Sequence, residues 1–338
     1  MRNRFVIHAY VLAAAIAVAS LAPAPAAAQA ASKTTAKKSA AKTWTPPRTP
    51  WGEPDLQGIW DFATITPLER PAELAGKEVL TEQEAAEFER QTLQRRNQDR
   101  REGGAEADVA RAYNQFWWDY GTKIVGTRRT SLIVDPPDGK VPPLTPEGKE
   151  RSAARAAALK RPAAGPEDRN LAERCILGFN AGPPMLPSAY NNNVQIFQTP
   201  GFASLLNEMV NDARIIPLDG RPHLPQHIRQ WRGDSRGHWE GATLVVDTTN
   251  FREPTNFRGA SANFHLVERF TRVAADSLLY EFTVDDPVTW SRPWSAAVPM
   301  TRTAGPIYEY ACHEGNYGME GILSAARAAE REAAKTRR

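Results

Sequence analysis

The sequence predicts a mainly β protein: an antiparallel lipocalin-like barrel, or a sandwich, with α-helical insertions in the N-terminal half. Three observations carry this expectation. From Asn193 onward, short strand-like runs alternate with turn residues at regular spacing, as in an antiparallel meander. Helix-start signals cluster between about residues 80 and 175 and return only in the C-terminal tail. Upstream of both, Gly58-Ile59-Trp60 reads as a further strand for the same sheet. Closing such a sheet would remove its exposed edges, which favours the barrel.

The elements follow in order. Arg2 and Arg4 precede an almost wholly apolar run, Phe5–Leu21, then Pro23, Pro25 and Ala26-Ala27-Ala28. A charged start, an apolar centre and a small-residue end make a cleavable signal peptide, expected over residues 1–28. The mature chain is then periplasmic or secreted. The other reading is an uncleaved anchor, but a spanning helix needs roughly 20 apolar residues, and this run is shorter and ends in prolines. No later stretch is apolar enough to span a bilayer. Residues 29–53 form a basic, proline-rich linker; Ala31–Thr43 holds only Ala, Lys, Ser and Thr and is expected to be disordered.

One β-barrel domain is expected over residues 54–321, with a helical insertion at about 80–175. Asp55–Phe62 opens it as a strand. Thr81-x-x-Glu84 is a capping box ahead of a helix from Glu82 to Arg95. Glu106–Tyr120 reads as a second helix carrying Phe116, Trp117 and Trp118. Arg129–Asp135 and Lys140–Leu144 flank Pro136-Pro137-Asp138-Gly139, a hairpin pattern. Thr145-Pro146 caps and starts a third helix, to about Lys160. The meander strands are Val194–Thr199, Phe202–Val210, Ala213–Leu218, Ile228–Arg232, Thr243–Thr249, Phe264–Val273, Ser277–Asp285 and Ile307–Cys312. Asp234–Gly237 reads as a turn and Trp290–Trp294 as a tryptophan-rich loop. A basic helical tail, residues 322–338, closes the chain.

Charge excludes one class of partner. The chain's net charge is +3; the signal contributes +2, the linker +4 and the tail +3, leaving −6 for Trp44–Gly321. A nucleic-acid-binding body needs the opposite sign, so no nucleic acid is expected. The two cysteines, Cys175 and Cys312, are expected to pair as a disulfide in an oxidising compartment, the alternative being two separate buried thiols.

Candidate chemistry rests on side chains that strand alternation brings to one face. Phe264, Leu266 and Phe270 share a face with Glu268; His265, Val267, Arg269 and Thr271 share the other. His265 with Arg269 could bind an anion or polarise a carbonyl, and His313 with Glu314 sits in a glycine-rich loop suited to acid–base groups. These four are the expected catalytic residues if the protein is an enzyme. Expected ligand-binding residues are the aromatics Trp290, Trp294, Tyr308 and Tyr310 and the mid-strand charges Arg229, Asp247 and Glu309. His223 and His227, four apart, would pair on a metal only on a helix, which Pro222 and Pro225 oppose; a third ligand could come from His313 or Glu314. No cofactor motif appears: there is no phosphate-binding loop, dinucleotide fingerprint, haem-attachment pair or nucleophile elbow.

Several strings resemble a family of exported bacterial hypothetical proteins of unestablished activity. They are Pro54–Trp60 (PDLQGIW), Ser131–Gly139 (SLIVDPPDG), Gly233–Gly241 (GDSRGHWEG), Tyr280–Pro287 (YEFTVDDP) and Tyr308–Asn316 (YEYACHEGN). The likeness implies export and a single fold unit over 54 to about 323, and no catalytic residue. Gly58-Ile59-Trp60 also resembles the Gly-x-Trp strand that opens lipocalin-type barrels. Three functions are expected in turn: a barrel holding one small apolar or aromatic molecule, a cofactor-free acid–base enzyme of lyase or isomerase type on the same scaffold, or an envelope structural protein.

Overall fold

The helices begin where their caps place them. In a computed structural model, which describes residues 44–100, 102–110, 114–255 and 257–336, helix α1 spans Glu82–Arg96. Thr81 accepts from the Glu84 amide and Glu84 returns a bond to the Thr81 amide. Helix α3, Pro146–Leu159, starts on Thr145, whose hydroxyl accepts from the Gly148 amide. The signal peptide and residues 29–43 of the linker lie outside the described residues. Residues 44–53 take a defined course, with Arg48 bridged to Pro54 and the Thr49 amide donating to Glu53 at 2.8 Å. The described chain from Trp44 forms one unit.

The second helix is shorter than expected. Among the described residues helix α2 covers Gly104–Ala110, and Phe116, Trp117 and Trp118 follow outside it. Asn114, in extended backbone at φ −76° and ψ 167°, separates the aromatics from the helix. Tertiary backbone bonds win instead: the Gln115 amide donates to Asp99 at 2.9 Å and the Asp119 amide to Ala189 at 2.7 Å.

Ten strands form one sheet, and every registered pair is antiparallel. They are β1 Gly58–Asp61, β2 Ile133–Asp135, β3 Asn193–Thr199, β4 Phe202–Asn207, β5 Asp212–Pro217, β6 Asp234–Glu240, β7 Thr243–Thr249, β8 His265–Ala274, β9 Ser277–Asp285 and β10 Trp294–Thr303. Their order is β5-β4-β3-β1-β10-β9-β8-β7-β6, with β2 also on β10. The ladder runs from edge β5 to edge β6 without closing, so the expected lipocalin-like barrel is replaced by a curled, sandwich-like open sheet. The two edges do meet through side chains: a Cβ on Gly237 of β6 would lie 2.5 Å from Leu218 Cδ2 and 2.9 Å from Ile216 Cγ2.

Five strand assignments differ from the sequence pattern. Asp234–Glu240 is a strand rather than a turn; Gly233, at φ +69° and too close to Thr249 O for any Cβ, makes the turn one residue earlier. Trp294–Thr303 is a strand despite Pro299. That residue, with no N–H to donate, falls between the β2 register at Ser295–Ala296 and the β1 register at Thr301–Thr303. Ile228–Arg232 is loop, bridged only at Gln230 to Phe251. Ile307–Cys312 is also loop, held by Tyr308 N–Glu208 and by the disulfide. The expected hairpin at 129–144 keeps its turn, but Ile133–Asp135 pairs with β10 and Lys140–Leu144 forms no strand.

The inner face is apolar and filled. Trp60, Tyr280, Phe270, Phe282 and Trp294 are each under 2 % exposed. In their midst lies one ion pair. Arg214 on β5 makes two bonds to Glu268 on β8, at 2.5 and 2.9 Å. Tyr280 donates to the same carboxylate at 2.8 Å and accepts from the Met185 amide at 3.1 Å. Burial lowers the Arg214 pKa, but the Glu268 charge and hydrogen bonds outweigh it and raise the value. The C-terminal helix α4, Tyr317–Thr336, starts before the expected tail and docks through Arg327 on the Ala163 and Ala164 carbonyls. No helix among the described residues is long and apolar enough to cross a membrane.

Candidate functional site

The strand alternation that fills the inner face also lines up titratable groups on the outer one. Asp234 and Arg236 on β6, Asp247 on β7 and His265 on β8 all project outward. The loop before β6 folds back and inserts His223 among them. Its Nδ1 lies 2.9 Å from Asp234 Oδ2 and its Nε2 2.9 Å from Asp247 Oδ1. Asp247 Oδ2 is 2.7 Å from His265 Nε2. The result is a continuous chain, Asp234–His223–Asp247–His265. Arg236 Nη1 donates to Asp234 at 2.7 Å and the Leu224 amide donates to Asp234 at 2.9 Å, fixing its far end.

This arrangement orients protons. A neutral His223 ring donates to one of its two carboxylates; a doubly protonated ring donates to both. Desolvation is the largest influence on Asp247 and raises its pKa, but bonds and charges from His265 and His223 together bring it below the usual value. The hydrogen bond to Asp247 is the largest influence on His265 and raises its pKa, with the Asp247 and Asp285 charges adding and burial opposing.

The other expected residues scatter. Arg269 shares the outer face with His265 but donates to Glu240 at 2.7 Å, which also lies 3.1 Å from His238. His313 and Glu314 are exposed on the loop after Cys312. Trp290 and Trp294 are core residues, packed against Phe257 and each other rather than free to stack on a ligand. Tyr308 is exposed, and Tyr310 stacks on Tyr190 at 6.4 Å. Glu309 and Tyr310 line a hollow beside the Cys175–Cys312 disulfide. Arg229 donates to the Phe251 and Ala262 carbonyls. His227 is exposed and outside the chain of bonds around His223. Among the described residues no group of three or more His, Cys, Asp or Glu is arranged to hold a metal.

A second feature lies between the helical insertion and the sheet. A cleft of about 520 Å³ has Trp118, Tyr120, Leu132 and Leu186 in its walls, with Arg96 and Arg258 beside them. The Trp118 and Tyr120 rings are 6.3 Å apart, and Trp118 also meets Tyr190 at 6.5 Å. The Trp118 indole Nε1 is buried without a hydrogen-bond partner. Sequence reasoning placed Trp118 in a helix and gave it no role. The signal available was the Phe-Trp-Trp run itself, because only one of its rings turns inward; Phe116 and Trp117 are 83 % and 62 % exposed. Asp234 was read as a turn residue, which hid its place beside His223.

Comparison with known proteins returns no matching family model, no matching curated protein and no matching solved structure.

Proposed function

We propose that this chain is an exported binding protein for a small aromatic molecule, and that the ligand sits in the cleft under the helical insertion. The observation that carries this reading is the cleft itself. It has two aromatic rings in its walls and a volume in the range of small-molecule sites, about 300–1,000 Å³. The inner face of the sheet, by contrast, is filled with its own side chains. Export is supported by the Cys175–Cys312 bridge and by the signal-like N-terminus.

Titration of the protein with neutral 2-naphthol, followed by calorimetry, tests it. Wild type should bind, and Trp118→Ala should weaken binding by about tenfold, the scale of a lost aromatic contact together with its buried area. Undiminished binding by that variant would move the ligand elsewhere.

The His–Asp chain favours a second reading, proton transfer at His265. An imidazole held through Nε2 by Asp247 presents Nδ1 as the base. The titration of His265 checks it. Because the folded pKa is raised above the ordinary histidine value of 6.5, the stabilisation from pairing is complete below 6.5 and is lost as pH rises through the folded value. On the Asp247 side, whose pKa is lowered from 3.8, stabilisation is present above 3.8 and is lost as pH falls through the folded value. The His265 imidazole resonances should titrate above 6.5 in wild type and shift down in Asp247→Asn. Elimination of 5-nitrobenzisoxazole, in which the base takes the C3 proton as the N–O bond breaks and the ring opens to a single cyanophenolate, should follow the same titration. A rate indifferent to His265→Gln would end this reading.

A further inference from the structure

Resting on the binding reading above, we propose that the cleft selects an aromatic carboxylate, with its ring against Trp118 and its anionic group toward Arg96.

The charge around the cleft is one-sided. Arg96 and Arg258 line it, and among the described residues no Asp or Glu does. Arg258 is partly neutralised, since its Nη2 meets Glu69 Oε1 at 3.1 Å. Arg96 has no carboxylate partner among the described residues; its guanidinium lies over the Tyr120 ring, 5.1 Å from the centroid. Desolvation lowers the Arg96 pKa, so its charge is held at a cost that a bound anion would offset.

The end of α1 that carries Arg96 is also fixed. Its carbonyl accepts from Gln98 Nε2 at 2.9 Å and from the Tyr120 hydroxyl at 3.3 Å. That limits how far the guanidinium must be ordered when a ligand arrives, which lowers the entropic cost of binding.

Among the described residues Arg96 is the cation of the cleft without a carboxylate partner, and a guanidinium only donates. Two of the lining hydroxyls are engaged: Thr64 donates to the Lys123 carbonyl at 2.9 Å, and Thr66 accepts from the Val125 amide at 2.9 Å. A ligand that matches a spare guanidinium is an acceptor, and an ionised carboxylate is acceptor-only and planar, the shape a guanidinium fork grips with two parallel bonds. The Trp118 ring, tilted 50° to Tyr120 with centroids 6.3 Å apart, supplies the aromatic half of the requirement.

Calorimetric titration with 2-naphthoate and its neutral isostere 2-naphthamide tests the inference. Wild type should bind the acid about tenfold or more tightly than the amide, as a charge-assisted pair would give. Arg96→Gln should bring the acid-to-amide ratio to about one, with an unchanged near-ultraviolet circular dichroism spectrum showing that the cleft still forms. Raising salt from about 0.05 to 0.5 M should weaken naphthoate and spare naphthamide, a check that needs no variant. Equal affinities in wild type would overturn the carboxylate assignment and leave the cleft as an aromatic site. A preference that survives Arg96→Gln would overturn it too, because the anion would then sit elsewhere. If neither probe binds, the binding reading falls first and the inference with it.

Discussion

Glu268→Ala is expected to cost about 3–5 kcal/mol of stability, the usual penalty for stranding a buried charge. The carboxylate is fully buried and accepts from Arg214 twice and from Tyr280 once. Removing it leaves Arg214, 8 % exposed, with its charge in an apolar interior and no counter-ion. The Tyr280 hydroxyl loses its acceptor, though it keeps the Met185 amide as a donor. The pair is more than a weld between neighbours, because β5 lies at one edge of the sheet and β8 is third from the other. It holds the curl where no backbone ladder does. A double replacement, Arg214→Met with Glu268→Leu, is expected to recover most of the loss, since desolvating two charges largely offsets their attraction. Urea unfolding measures both. A Glu268→Ala variant within 1 kcal/mol of wild type would mean that water reaches the pair and that the sheet is held otherwise.

Opening the disulfide should have an effect of similar size. Cys175 and Cys312 are bridged across 137 residues, with Cα atoms 5.6 Å apart. In the chain-entropy account a loop of that length contributes about 4–5 kcal/mol by restricting the unfolded chain. The bridge pins the C-terminal segment, which has left the sheet, to the turn at Ala172–Cys175 beneath it. Asn316 reinforces the join by donating to the Glu173 carbonyl at 2.9 Å. Cys175→Ser with Cys312→Ser should therefore lower the unfolding midpoint and loosen residues 304–316 before the sheet, visible as faster amide exchange there. Protein unfolded without reductant should show no free thiol. Two free thiols would remove both the bridge and the support it lends to export.

Much of the β architecture was legible because alternation of side chains is a local property. Eight of the ten strands follow runs read from the sequence, and the face carrying Phe264, Leu266, Glu268 and Phe270 is indeed one face. Which face lies inside was not legible. Both faces of β8 carry charge, Glu268 on one, His265 and Arg269 on the other; only the partner on a distant strand, Arg214 against Asp247 and Glu240, separates core from surface. The strands that were missed each carry a residue that opposes a strand reading, Gly237 in Asp234–Glu240 and Pro299 in Trp294–Thr303. Asp234–Glu240 and Trp294–Thr303 are strands because β7 and β9 offer them ladders, and that is a fact about neighbours far along the chain.

The candidate sites divide the same way. His265, Asp247 and His223 each stood out singly, as titratable residues on strands or beside prolines. Their union needed the loop before β6 to fold back 24 positions from Asp247, which no spacing rule encodes. By itself the sequence determined the caps of α1 and α3, the cysteine pair and the alternating faces, since each depends on residues a few positions apart or on composition. The tertiary structure alone decided that the sheet stays open, that Trp290 and Trp294 are core, and that Arg96, Trp118 and Tyr120 enclose a cleft. Those outcomes depend on which remote surfaces exclude water together, and chain order does not fix that.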